Sequence, residues 1–153
     1  MPEVSFAHET QIRTAFSNGI ASYRPDERVI GREMTYEQPG ARVDLRTVDS
    51  QQVIREWEFK IKADYSALGQ ILVYIALARA EYGNRRIIRG VLAAFYFPER
   101  IRYTVEALNL GIEIYVIPPA LRSAGNVPID LAPDSIGSDF PFIVGLPTVV
   151  HPS

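Results

Sequence analysis

Cysteine is missing from this 153-residue chain, so it has neither a disulfide framework nor a zinc-thiolate centre, which fits a reducing compartment. Histidine is scarce. His8 and His151 show no metal-ligand spacing, and so few imidazoles give no credible Ser/His/Asp set. There is no Gly-rich phosphate loop, no internal repeat and no low-complexity block. No run reaches the roughly 18 apolar residues of a membrane span. The start, Met1-Pro2-Glu3-Val4-Ser5, has no basic region leading into an apolar one, so a cytoplasmic protein with no membrane partner is expected. Basic excess is absent as well. With a net charge of −2 and a pI near 5.7, the chain lacks the whole-domain positive charge of a dedicated nucleic-acid binder, although a local basic rim remains open. Lysine is the scarcest charged type: among 16 Lys and Arg residues only Lys60 and Lys62 are lysine, and both fall on one strand-type run. Lysine offers a compact, rotatable ammonium whose pKa is adjustable, which a guanidinium cannot imitate. Chance placement of two residues is the alternative.

What is present is a 47% hydrophobic chain, long enough for one buried core and too short for two ordinary domains, so residues 1–153 are expected to form a single domain. Ser5 is positioned to cap a helix running to about Ile20, with Phe6, Ile12, Phe16 and Ile20 on its apolar stripe. Glu9 falls in the middle of that stripe and needs a partner there. Either it pairs with Arg13 four residues on, or it faces a functional site. Tyr23-Arg24-Pro25-Asp26 breaks the helix, and Arg28 to Glu37 reads as a strand ending in the turn signal Gln38-Pro39-Gly40. Glu33 and Glu37 on this strand are read as solvated, unless one approaches the carboxylates of the next two strands.

Those two strands organise the rest. Ala41 to Val48 and Val53 to Ile61 both alternate and are split by the turn-prone Asp49-Ser50, which predicts an antiparallel hairpin. On the second strand Glu56, Glu58, Lys60 and Lys62 share one face, while Trp57, Phe59 and Ile61 pack on the other. Asp44 then sits across from Glu58 and Lys60. Two carboxylates about 4 Å apart repel by roughly 4 kcal/mol at an effective dielectric near 20, so the pair calls for a cation, as in a magnesium site. Ala67 to Tyr82 follows as a helix with Leu68, Ile71, Leu72 and Ile75 as its buried stripe. Gln70 and Tyr74 share a different face with Ala67, Leu77 and Glu81. Those apolar flanks imply that this face is covered and that both polar tips need partners. Gly83-Asn84 stops the helix, Ile87 to Phe97 reads as an interior strand, Pro98 opens a helix over Glu99 to Leu110, and Ile112 to Ile117 is a last strand. The order is αβββαβαβ: an α/β fold with a mixed β-sheet flanked by helices. Residues 118–153 are Pro-rich, and Phe140 to Val150 is open to three readings: an edge strand, an arm or a packed loop. Arg85, Arg86 and Arg89, with Arg100 and Arg102, form the densest basic clusters and read as a solvated face or as phosphate contacts.

Asp44, then Glu58-Phe59-Lys60 on the next strand, then Gln70 and Tyr74 on the following helix resembles the PD-(D/E)XK nuclease superfamily, in its RecB-like, restriction-endonuclease-like branch with a Q-x-x-x-Y helix. Val43 stands where the name-giving proline would be. The resemblance covers residues 5–117, the expected core, and implies a restriction-endonuclease-like fold and an Mg2+- or Mn2+-dependent endonuclease acting on DNA as a homodimer. It implies Asp44, Glu58, the Phe59 carbonyl and Glu9 as metal ligands, Lys60 as the catalytic ammonium, and Gln70 and Tyr74 bracing the site and the nucleic-acid backbone. The spacing of Glu9, Asp44 and Glu58-Lys60 is also similar to that of archaeal Holliday junction resolvases. A nuclease-like regulatory module without catalysis is the alternative of a different class.

Overall fold

The computed structural model describes residues 6–37 and 41–125; Ser5, the turn 38–40 and the run from Phe140 to Val150 lie outside the described residues. Helix α1 (Phe6–Asn18) buries Ile12 and Phe16 and passes through a short α2 (Ile20–Tyr23) into the meander β1 (Glu27–Thr35), β2 (Arg42–Asp49) and β3 (Ile54–Phe59). The turn between β2 and β3 forms where alternation breaks. Asp49 Oδ1 accepts from the N–H groups of Gln51 at 2.8 Å and Val53 at 2.9 Å, an Asx-type closure.

Helix α3 (Tyr65–Tyr82) starts at Asp64, whose Oδ1 accepts from Ala67 N–H at 2.8 Å, and ends at Gly83 with φ +67. It leads to β4 (Ile88–Ala94), then α4 (Glu99–Leu108), β5 (Ile112–Val116) and a short helix α5 (Arg122–Gly125). The sheet runs β1-β2-β3-β4-β5, antiparallel across the meander and parallel from β3 to β5. Both crossovers step the same way along the sheet, so right-handed connections set α3 and α4 on one face. Val48, Ile54, Ile88, Leu92 and Ile114 meet these helices there. On the other face Ile12 and Phe16 of α1, with Leu121, cover Leu45, Trp57, Phe59 and Val91. This is the expected α/β fold with a mixed sheet between helices.

Two expectations fail on burial. Glu56, expected beside Glu58 and Lys60 on a polar face, is fully buried and takes a two-pronged bond from Arg46 Nε at 3.0 Å and Nη2 at 2.7 Å. A sheet covered by helices on both sides leaves no solvent face in the middle of β3, so this charge needs a buried partner. Leu72, expected in the buried stripe of α3, is 41% exposed, and Tyr74 is buried instead. The helix is apolar nearly all round, so periodicity alone gave no unique face. Gly90 fixes how close α3 comes: a Cβ there would lie 2.2 Å from Ile71 Cγ2. That close approach brings Tyr74 within reach of the sheet. At the end of the sheet where β3 begins, Arg24 and Arg55 are bonded among Glu27, Asp49 and Glu113, closing that end with paired charges.

Candidate active site

The pairing of β2 with β3 ends at Leu45 opposite Trp57. Beyond that point the Asp44 side chain replaces the ladder, its Oδ2 accepting from Phe59 N–H at 2.9 Å. On its other side the chain stays paired with β4, where Lys60 N–H donates to Ala93 O at 2.9 Å. The sheet therefore splits between β2 and the end of β3. Asp44 and Glu58, 8% and 7% exposed, lie at the split.

Tyr74 comes down from α3 onto the same point. Its hydroxyl lies 2.7 Å from Arg42 O and 3.2 Å from Glu58 Oε1. A hydroxyl has one proton to give. The Arg42 carbonyl and the Glu58 carboxylate compete for it, and donation to Glu58 favours the ionised carboxylate. Gln70, one turn earlier, has a buried Oε1 with no hydrogen-bond partner. Glu9 of α1 reaches the far side of the split, where its Oε2 accepts from Ile61 N–H at 3.3 Å. The charge of Lys60 is felt at Glu9, Asp44 and Glu58. The structure thus brings together Asp44, Glu58, Lys60, Glu9 and Tyr74, while Gln70 stands on the same helix as Tyr74.

The alternative pairing of Glu9 with Arg13 does not form. Arg13 Nη1 donates to Asp44 Oδ1 at 2.9 Å and Nη2 to Glu33 Oε2 at 2.8 Å. Sequence reasoning gave Arg13 no place in the site and read Glu33 as solvated unless it approached the carboxylates; the structure brings it to Asp44 through Arg13. The reason is a bulge: register shifts between Val29 and Gly31, so Arg32 pairs with Leu45 and Met34 with Val43, leaving Glu33 opposite Asp44. Without the extra residue Arg32 would stand there. A glycine in the strand was the available signal.

Burial is the main cause that raises the Glu58 pKa to about 8, and the Asp44 charge adds to it, while Lys60 and the Tyr74 hydroxyl oppose. Burial also raises Asp44, against the Phe59 N–H bond and the charges of Arg13, Arg42 and Lys60. Glu9 is raised by burial as well, with Lys60 opposing. The Tyr74 hydroxyl is raised by burial and by the neighbouring Glu58 and Asp44. Asp44, Glu58 and Glu9 are all held back from ionising.

Among the described residues no three His, Cys, Asp or Glu side chains converge closely enough to hold an ion between them. Two hard carboxylates do meet, each disfavouring ionisation of the other. Mg2+ is commonly bound through one or two carboxylates and keeps several waters, so the donor set fits that ion rather than one needing an all-protein cage. Arg85, Arg86 and Arg89 are at the other end of the sheet. Arg89 pairs with Arg55, three residues before Glu58, about 10 Å along the strand, and Arg85 and Arg86 cap Tyr82. Arg100, in the first turn of α4, follows the end of β4 nearer Lys60. No described helix is long and apolar enough to cross a membrane.

No family model matches this chain and no curated protein is similar to it. Among solved structures it is similar to a repair endonuclease from Pyrococcus abyssi, with TM-score 0.61 and 26% identity over 72% of this chain and 47% of that one. It is also similar to EndoMS in its apo form and in a complex with double-stranded DNA, each with TM-score 0.59 and 22% identity over 72% of this chain. The chain spans about half the length of these structures, 46% and 45% for the two forms of EndoMS. The likeness is one of fold: a mixed five-stranded sheet flanked by helices, similar to endonuclease structures.

Proposed function

We propose that the domain is a divalent-cation-dependent deoxyribonuclease of the PD-(D/E)XK type, an endonuclease that hydrolyses phosphodiester bonds of double-stranded DNA. The observation that carries this reading is the split between β2 and β3, where Asp44 and Glu58 meet within reach of the Lys60 charge, on a fold similar to repair endonucleases. Asp44 and Glu58 would hold Mg2+ or Mn2+, with the Phe59 carbonyl as a further ligand and Glu9 at the margin. The bound ion would supply acidification of water and neutralisation of phosphate charge. Lys60 orients the attacking water and donates to the phosphate oxygens as charge builds on them, a contribution of about 3 to 4 kcal/mol in comparable donors. Tyr74 holds Glu58 in place. The orphaned Gln70 oxygen supports the reading too, because a buried acceptor without a donor is completed by a bound molecule or water. Dimerisation belongs to the proposal, since one site cuts one strand and two related sites cut a duplex.

The test is Mg2+ titration against plasmid, single-stranded and branched DNA at low salt. Metal-stimulated cleavage of duplex DNA supports the reading. Preference for the branched substrate favours a Holliday junction resolvase, and no cleavage of any of them by folded protein favours the inactive regulatory module.

A further inference from the structure

Arg13 is 6% exposed, yet its guanidinium serves two carboxylates through separate nitrogens, Asp44 on β2 and Glu33 on β1. Neither contact follows from helix spacing. Glu33 reaches Arg13 only because of the bulge at Val29/Gly31, and its own backbone has φ +49, a conformation that L side chains rarely adopt. Strain of this kind persists where surrounding contacts over-determine it, and it clusters at sites that use it. The oxygen that Arg13 takes is Oδ1 of Asp44. Oδ2 is already committed to Phe59 N–H, so the guanidinium holds the remaining oxygen of the pair. A positive charge 2.9 Å from that oxygen opposes any cation approaching it. Glu33, half exposed on the other nitrogen, draws the same guanidinium away.

We propose that Arg13 is a built-in counter-ion of the carboxylate pair, competing with a divalent cation for Asp44, and that Glu33 sets the strength of that competition. Both are positioning residues for Asp44. The proposal rests on the nuclease reading and deepens it: the site carries its own cation substitute, whose hold is weakened by a neighbouring acid. Its signature is a pair of opposite effects. Removing Arg13 removes the competitor, and removing Glu33 leaves the whole guanidinium to Asp44.

The experiment is Mn2+ binding, followed by electron paramagnetic resonance at fixed pH, to the metal-free full chain and to Arg13→Gln and Glu33→Gln. Arg13→Gln is expected to tighten the Mn2+ Kd roughly 3- to 10-fold and Glu33→Gln to weaken it by about as much, as expected for one unit charge beside the site. Arg13 is buried, so folding of each variant is checked by circular dichroism; Glu33 is exposed enough that its variant carries the proposal even if Arg13→Gln is lost. Affinities that do not move, or that fall in both variants, overturn the proposal while Mn2+ binding to the unaltered chain leaves the nuclease reading standing. No Mn2+ binding to the unaltered chain overturns both.

Discussion

Glu58→Gln is expected to abolish the loss of stability with rising pH in the metal-free protein. In the native chain the Glu58 carboxyl titrates near 8, because burial and the Asp44 charge disfavour its ionised form, whereas in the unfolded chain it titrates near 4.5. Between those values the native state holds more protons than the unfolded state. Stability is therefore greatest below the unfolded value and is lost as pH rises through the native one. Integrated over pH 6 to 9, the loss is about 2 to 3 kcal/mol, equivalent to roughly 5 to 10 °C in Tm for a domain of this size. A glutamine has no proton to lose. It also keeps an oxygen for the Tyr74 contact, so the variant should hold its stability across that range and exceed the unaltered protein at pH 9. Urea unfolding in EDTA measures this directly, because the single tryptophan, Trp57, is fully buried and reports the transition. Adding Mg2+ should flatten the slope of the unaltered protein by neutralising the carboxylate pair, and leave Glu58→Gln unmoved. Parallel pH profiles for the two proteins would falsify the claim that Glu58 is held un-ionised at the split.

Asp44→Ala should abolish metal-stimulated cleavage, and it should also cost about 1 to 3 kcal/mol of metal-free stability by denaturant melt. Relief of carboxylate repulsion alone predicts unchanged or higher stability, but Arg13 loses a buried partner and keeps only Glu33. Lys60→Arg should be nearly inactive in a plasmid cleavage assay with little change in Tm, and retained activity there removes the specific role given to the ammonium. Arg46→Met should cost about 3 to 5 kcal/mol because it strands the fully buried Glu56, and the second change Glu56→Met should restore most of that loss. A double variant as unstable as Arg46→Met would show that the pair acts through its other contacts, to Glu81, Tyr36 and Tyr82.

Much of the architecture is local in origin. Alternation over β2 and β3, the Asp49 turn, the Asp64 cap and Gly83 stop of α3, and Pro98 ahead of α4 are each fixed by residues within a few positions, so the element order was legible in the amino-acid string. So was the convergence of Asp44, Glu58 and Lys60, because a two-residue period dictates which side chains share a face. Gln70 and Tyr74 were legible as a pair one helical turn apart, but not the depth to which Tyr74 is buried or the bond it makes to Arg42 O.

The remainder depends on contacts between distant segments. Arg46 pairs with Glu56 because α3 covers the sheet and leaves that carboxylate without water. Arg13 had Glu9 four residues away on its own helix, yet its partners lie 20 and 31 residues on. One inserted residue at the Val29/Gly31 bulge decides this, because in a strand a shift of one position exchanges the two faces. The sequence by itself determined which acids and which ammonium could meet; the tertiary structure decided which arginine stands among them. Local pattern sets the face of a side chain only as far as the register holds, and register is a property of two chain segments rather than one.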